Sequence, residues 1–177
     1  IDDNWSNFDK YEYRFGAHLQ ETAENGADSA HFVYVHGTST LPEWEFSYED
    51  HKRLGVMKAK MPTPRGEVDG AINLFGSGPG QSATRFTGIC ETFLMGLPTP
   101  IDSENMELRF AFSQEKIKGE TPKGGVAAAI IADINKQVKE DIPIWENKKY
   151  LDNPILCAKD GPIAGFRRWF SQFYSQA

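Results

Sequence analysis

The chain has 177 residues, with 19 Lys plus Arg against 25 Asp plus Glu, so its formal net charge is −6 with the histidines neutral. Hydrophobic residues make up 40% of it and aromatic residues 12%, which is too rich in apolar side chains for a disordered polymer and sufficient for the core of one domain. The acidic balance and the lack of a Lys/Arg-rich run exclude an extended nucleic-acid surface. No apolar window reaches the roughly 20 residues of a membrane span, so we expect a soluble, cytoplasmic domain.

The first half of the chain is predicted to begin with a strand followed by a helix. Apolar and polar residues alternate over 11–19, which is typical of a strand with one buried face. Helical spacing follows over 22–35, where Thr22 can cap the first turn. Four further strands, which favour an antiparallel meander, are predicted over 53–61, 70–75, 84–93 and 107–113.

The last third of the chain is predicted to be helical. A long helix should run from about Val126 towards Tyr150, with a kink at Pro143. Apolar residues recur at steps of four from Ile130 to Val138, as on a helix with one buried face. A shorter amphipathic helix closes the chain. This order of elements predicts an α+β fold in which a sheet wraps over the long helix and leaves an apolar cavity between them.

Acids and histidines are concentrated in one short segment that contains Glu24, Asp28, His31 and His36. On a regular helix, at about 100° per residue, Glu24, Asp28 and His31 would share a face. His31 and His36 would lie about 140° apart, so both can bind one ion only if the helix widens or ends near Tyr34.

Asp141 is the acid that the long helix directs towards its buried face. With Ile130 set at 0°, it falls at about 20°, inside the apolar stripe, whereas Asp133 and Glu140 fall outside it. A buried carboxylate needs a partner or a metal ion. Imidazole pairs suit iron, zinc, copper or nickel, and two histidines with one carboxylate form the facial triad of non-haem Fe(II) oxygenases.

The residues alone leave a structural alternative open. In it, both histidines are ordinary core or surface residues, and Asp141 hydrogen-bonds Arg167, Arg168 or a helix end. Two functional alternatives are also open. One is a non-catalytic carrier of hydrophobic ligands, and the other is a zinc hydrolase that uses the same three side chains.

The run Glu24-x3-Asp28-x2-His31-x4-His36 resembles the mononuclear-iron motif of Rieske-type oxygenases. The C-terminal third is similar to the steroid-acting branch of that family, which comprises 3-ketosteroid 9α-hydroxylase oxygenase components and cholesterol 7-desaturases. The matching segments are 139–150, 153–156, 160–162 and 167–174. The resemblance implies a helix-grip (START-like) fold, a curved antiparallel sheet wrapped over a long C-terminal helix.

The resemblance also implies a role for each matched residue. His31, His36 and Asp141 would hold a mononuclear Fe(II). Asp28 would be the bridging carboxylate that links an iron-ligand histidine to a Rieske cluster on the neighbouring subunit of a homotrimer. Glu24 matches the first acid of the motif, a position at which related enzymes vary.

The activity implied is the activation of O2 to hydroxylate or desaturate a steroid- or sterol-like apolar substrate, with electrons from a reductase or ferredoxin. Rieske clusters need C-x-H and C-x-x-H ligands, and neither Cys90 nor Cys157 lies in such a pattern. The [2Fe–2S] cluster is therefore expected only in a missing N-terminal domain or in a partner chain. Together with Ile1 in place of Met, this predicts that residues 1–177 are one catalytic domain of a longer protein, which should not turn over with NADH and a reductase alone.

Overall fold

The computed structural model describes residues 2–38, 41–63, 66–157 and 160–175. Over these residues it contains a seven-stranded sheet, four α-helices and a short 3₁₀ turn at Ser171–Phe173. The strands are β1 (Asp9–Gly16), β2 (Trp44–Glu49), β3 (Lys52–Thr63), β4 (Gly66–Ser77), β5 (Ser82–Thr87), β6 (Thr92–Pro100) and β7 (Asn105–Gln114). The helices are α1 (Leu19–Asn25), α2 (Ser29–Tyr34), α3 (Gly125–Asn147) and α4 (Ile163–Phe170).

The sheet is open and antiparallel, in the order β1-β7-β6-β5-β4-β3-β2. Strands β2 to β7 follow one another as a meander, and β1 pairs with β7 so that Asp9 lies opposite Phe112. The predicted mixture of helices and an antiparallel meander is therefore confirmed. The protein is a mixed α/β molecule.

Two strand predictions differ from the structure. The predicted strand over 84–93 is two strands, β5 and β6, separated by a turn in which Gly88 has a φ of +116°, a conformation that glycine adopts without steric cost. The edge strand β2 was not predicted, although its alternate residues are half-buried and exposed. The Gly-Pro-rich segment 96–100 forms the second half of β6.

The helix predicted over 22–35 is wrong, because the segment forms two short helices. Helix α1 ends at Asn25, and the carboxylate of Asp28 caps α2 by accepting a hydrogen bond from the backbone N–H of Ala30 at 3.0 Å. An aspartate in this position satisfies backbone groups that a continuous helix would have paired internally. The first strand also ends earlier than predicted, since His18 caps the start of α1.

Helix α3 continues through Pro143, as predicted, and ends at Asn147. Proline lacks the N–H that would pair with the carbonyl of Lys139, and both residues lie on the exposed side of the helix. The opposite side of α3 is buried at Ala127, Ile131, Asn135, Val138, Asp141 and Trp145. The predicted inward direction of Asp141 is therefore confirmed.

The core lies between the sheet and the helices. From α3, Val138 and Trp145 pack against Phe15 of β1 and two residues of β7, Met106 and Leu108. Helix α4 packs its aromatic face on Ala27, which joins α1 to α2, through Phe166, Trp169 and Phe170. These contacts place the α1–α2 segment beside both later helices. Within the described ranges, the helices lack the length and apolar character needed to cross a bilayer.

Candidate metal centre

His31, His36 and Asp141 converge in the structure. Each offers a ligand atom, and these atoms lie within 4.8 Å of one another. Helix α2 ends at Tyr34, so His36 lies beyond the helix. This meets the condition under which His31 and His36 can bind the same ion. His31 is only 8% exposed and Asp141 only 5%. The segment between β1 and β2 and the buried face of α3 therefore supply one compact set of donors.

His36 is held between two acidic residues of α3. Its Nδ1 atom lies 3.1 Å from Oε2 of Glu140, and its Nε2 atom lies 3.3 Å from Oδ1 of Asp141. A carboxylate oxygen only accepts, so Nδ1–H donates to Glu140. In the neutral ring, Nε2 is then a second acceptor that faces the acceptor oxygen of Asp141. This contact is stabilised only by a proton or a cation between the two atoms.

His31 is oriented in the same manner by a backbone group. Its Nδ1–H donates to the carbonyl oxygen of Asp28 at 2.5 Å, which directs Nε2 towards the cluster. Burial lowers the pKa of His31, an effect that the hydrogen bond to Asp28 opposes in part. The ring is therefore neutral near pH 7, which is the state that binds a metal ion.

Asn25 also belongs to the cluster, although no sequence pattern indicates it. Its amide nitrogen lies 3.2 Å from Nε2 of His31 and 3.0 Å from Oδ2 of Asp141. Both partners are acceptors, so the NH2 group is the part of the amide that faces them. Its only sequence signal was its place beside Glu24 in the motif, and amides are absent from the patterns used to recognise metal ligands.

Asp141 is ionised in an apolar environment. Burial raises its pKa to about 6, while attraction by His36 and the hydrogen bonds from Asn25 and His36 act in the opposite direction. The alternative in which Asp141 hydrogen-bonds Arg167 or Arg168 is wrong, because its described partners are His36 and Asn25. A carboxylate with two imidazole nitrogen donors fits a divalent ion such as Fe(II) or Zn²⁺.

The structure does not bring Glu24 to this cluster. Its carboxylate accepts hydrogen bonds from Nε and Nη2 of Arg167 at 2.7 and 2.9 Å, and from Lys148 at 3.1 Å. Burial acts to raise the pKa of Glu24, but the bonds from Arg167 and the charge of Lys148 outweigh it and the pKa is lowered. The expected shared face of Glu24, Asp28 and His31 is wrong because α1 ends before Asp28.

Asp28 lies next to the cluster but is not part of it. Its carboxylate accepts from the backbone N–H groups of Ala30 and His31, while its carbonyl accepts from the His31 ring. Asp28 thus contacts a candidate ligand through two separate groups.

A cavity between the sheet and α3 includes the cluster in its wall. His31, His36 and Asp141 line it together with Asn25. Most of the remaining wall is apolar and comes from strands and α3, including Leu94, Leu108, Phe110, Ile134, Val138 and Trp145. The cavity can therefore bring an apolar ligand against the three candidate ligands.

Comparison with protein families gives one match over nearly the whole chain. Residues 1–174 match the family described as 3-Ketosteroid 9alpha-hydroxylase C-terminal domain. A probable 3-ketosteroid-9-alpha-monooxygenase oxygenase component from Rhodococcus rhodochrous is 28% identical over 179 residues, which cover 90% of this chain and 44% of the relative. Cholesterol 7-desaturase from Caenorhabditis elegans is 28% identical over 207 residues, which cover 97% of this chain and 46% of the relative. The chain thus spans about half the length of the curated relatives it matches.

Solved structures share the fold at lower sequence identity. Pseudomonas putida CBB5 NdmA with caffeine has a TM-score of 0.75 and 16% identity, covering 96% of this chain and 52% of that chain. Dicamba monooxygenase bound to dicamba has a TM-score of 0.70 and 14% identity, covering 97% of this chain and 59% of that chain. The resemblance drawn from the motif is confirmed by the family match and by these relatives.

Proposed function

The chain belongs to the 3-ketosteroid 9alpha-hydroxylase C-terminal domain family, and from that membership we propose that it is the mononuclear-iron catalytic domain of a Rieske-type oxygenase. The reaction proposed is hydroxylation or desaturation of a steroid- or sterol-like substrate. The observation that carries the proposal is the convergence of His31, His36 and Asp141 within 4.8 Å. In this proposal the sheet curves over α3 as in a helix-grip fold.

The donor set suits the metal that the reaction needs. Bound Fe(II) would supply the activation of O2 for attack on an unactivated C–H bond. The Nε2 atoms of His31 and His36 and a carboxylate oxygen of Asp141 would hold it, with the ion replacing the contact of Asn25 with Nε2 of His31, because both Nδ1 atoms donate to protein oxygens. Three protein donors leave further coordination positions open for O2. Asn25 would orient the carboxylate of Asp141.

The cavity supports an apolar substrate. Its wall beside the cluster is built from aliphatic and aromatic side chains of β6, β7 and α3, so a ligand gains by removing apolar surface from water. These side chains would hold a C–H bond of the ligand against the open side of the cluster. The shape of this wall, rather than the ligand set, would determine whether one or two hydrogens are removed.

Asp28 is proposed as the electron-transfer bridge. Its contacts to the backbone and ring of His31 support a short hydrogen-bonded path to that ring. In the proposal the path continues to a Rieske [2Fe–2S] cluster on a neighbouring subunit of a homotrimer, supplied by a domain or chain outside residues 1–177. A reductase or ferredoxin would reduce that cluster. The cytoplasmic location stays a prediction.

The first experiment is metal analysis of the chain after anaerobic loading with Fe(II). We expect about one iron per chain in the wild type and a loss of iron in His31→Ala and Asp141→Ala. His51→Ala is the matched control, because His51 is an exposed histidine on a turn of the sheet and should leave the iron content unchanged.

A failure of iron binding would favour the carrier. Persistent absence of iron from the wild type, together with steroid binding that His31→Ala leaves unchanged, would contradict the oxygenase. Loading with zinc in preference to Fe(II) and hydrolysis of an ester substrate would instead support the zinc hydrolase.

A further inference from the structure

Arg53 of β3 carries a buried positive charge in the wall of the same cavity as the candidate metal ligands. Only 7% of its surface is exposed, and it lines the cavity with His31 and Asp141. No carboxylate among the described residues lies within ion-pair distance of its guanidinium. Burial lowers the pKa of Arg53 to about 10, so the group remains charged at neutral pH. Unpaired buried cations are costly and uncommon.

One side of this guanidinium has a structural role. Its Nη1 atom donates to the carbonyl oxygen of Ala23 at 2.8 Å. The guanidinium carbon lies 5.3 Å from the ring centre of Phe166 and 5.8 Å from that of Trp169. These contacts hold the group in place against α1 and α4, in a fixed orientation.

The other side has no partner among the described residues. The Nε atom is buried without a hydrogen bond, and no hydrogen bond joins Nη2 to the described part of the chain. These two N–H groups form the parallel fork with which arginine binds carboxylates and other oxygen acceptors. Arg167 uses this same fork, Nε and Nη2, to bind Glu24. Over the described residues, the Nε–Nη2 fork of Arg167 therefore has a protein acceptor and that of Arg53 has none.

A second buried polar group lies beside Arg53. Tyr48 of β2 is opposite Arg53 in the strand register, and its hydroxyl is buried without a hydrogen-bond partner. Its ring packs against Trp169, with ring centres 5.5 Å apart. Tyr48 is not itself a lining residue of the cavity, but with Arg53 it gives two neighbouring donors that no acceptor in the described part of the chain satisfies. Buried donors in this condition are normally satisfied by a ligand or water.

We propose that the Nε–Nη2 fork of Arg53 binds an acceptor oxygen of the substrate and so fixes the orientation of the substrate relative to the metal cluster. The inference rests on the proposed function, and it deepens that function by naming the residue that would hold a carbonyl or carboxylate oxygen of the substrate. A hydrocarbon without such an oxygen would leave the fork unsatisfied. Discrimination of this kind is strong because a buried donor loses its hydrogen bond with the wrong ligand.

The test compares matched ligands by tryptophan fluorescence titration of the full chain. One pair is a 3-keto steroid and its 3-deoxy analogue, and the other is a steroid carboxylic acid and its methyl ester. The wild type should bind the oxygen-bearing or charged member of at least one pair about tenfold or more tightly. The pair that shows this preference identifies the oxygen as carbonyl or carboxylate.

Variants then assign the preference to Arg53. Arg53→Met should abolish it without weakening the binding of the deoxy analogue, and Arg53→Lys should retain part of it. Arg168→Met removes a charge from the exposed Arg168 and should retain all of it. If Arg53→Met does not fold, the preference of the wild type and its partial retention in Arg53→Lys still test the role of Arg53.

Three results would overturn the inference. In the first, the wild type binds both members of each ligand pair equally. In the second, Arg53→Met keeps the preference for the oxygen-bearing or charged ligand. In the third, Arg168→Met loses that preference as fully as Arg53→Met does. Iron content measured on the same samples separates this inference from the proposed function. If the wild type binds iron and binds both members of each steroid pair equally, only the role of Arg53 is contradicted. If it binds neither iron nor steroid, the proposed function and the role of Arg53 are both contradicted.

Discussion

The Nδ1 atom of His36 lies 3.1 Å from Oε2 of Glu140, on the opposite edge of the ring from the atom that faces Asp141. Two consecutive residues of α3 therefore contact both edges of one imidazole. Glu140 is also 3.2 Å from Lys136, one turn earlier on the helix. This acid fixes the ring and its tautomer, and metal-binding histidines are commonly held by such a carboxylate.

We predict that Glu140→Ala weakens Fe(II) binding by about 10- to 100-fold, because His36 loses the acceptor that fixes its ring. Anaerobic titration with Co(II), followed by its visible absorption, measures the affinity and reports the ligand geometry. Asp133→Ala is the matched control, since Asp133 is an exposed acid of the same helix that contacts Gln137. Equal losses in the two variants would mean that Glu140 acts only through the charge of the helix.

The ion pair between Arg167 and Glu24 should contribute to stability. Arg167→Ala leaves the buried carboxylate of Glu24 with Lys148 as its main partner, so we expect the free energy of unfolding to fall by about 2–4 kcal/mol. Urea denaturation measures the change. Arg168→Ala, at an exposed position of the same helix, should change it by less than about 0.5 kcal/mol. Similar values for both variants would show that Arg167 is a surface residue in solution.

The same carboxylate predicts a pH dependence. The pKa of Glu24 is lowered in the folded protein from its ordinary value of 4.5, so its stabilising effect is complete above that value and is lost as the pH falls through the folded pKa. The difference in free energy of unfolding between wild type and Glu24→Gln should thus be constant from pH 6 to 8 and should shrink below about pH 4.5. A difference that grew on acidification would contradict the lowered pKa.

Gly161 should be important for both stability and metal binding. Its φ is +80°, and an added Cβ would lie 2.4 Å from the carbonyl oxygen of Ala27 and 3.2 Å from the nitrogen of Ser29. Gly161→Ala must therefore displace the backbone that carries Asp28. Gly119 is a control with the same strain, because its φ is +82° with no atom within 4 Å of an added Cβ.

Both alanine variants should lose about 1–2 kcal/mol through the left-handed conformation. Gly161→Ala should lose more, and only this variant should bind Fe(II) more weakly. Thermal denaturation and iron content measure the two effects. If the variants behave alike, the contact between Gly161 and Ala27 is loose in solution.

The sequence was most informative about features that depend on a single helix. The periodicity of α3 predicted that Asp141 faces inward, because a helix of this length keeps its phase over many turns. In the predicted apolar stripe Val138 is buried and Ile134 lines the cavity, whereas at its start Ile131 is buried rather than Ile130. The end of α2 near Tyr34 was likewise recognised as the condition for His31 and His36 to share an ion.

The rest depended on contacts that periodicity does not encode. Treating 22–35 as one helix placed Glu24 with His31, whereas the cap at Asp28 separates them and leaves Glu24 to Arg167, far away in the chain. Asn25 reaches the cluster because α1 ends at this residue, before α2 begins. Arg53 stands out only because its buried guanidinium has unpaired N–H groups, and this can be seen only in the packed structure.

The pairing of β1 with β7 has a consequence for the order of folding. Asp9 lies opposite Phe112, so this pairing closes a long loop and must await most of the meander, as is typical of slow, non-local contacts. His31 follows β1 and Asp141 follows β7, so the pairing of these two strands brings the histidines and the acid to the same side of the sheet. When the full chain refolds, iron loading should therefore report the pairing of β1 with β7, the step that completes the sheet.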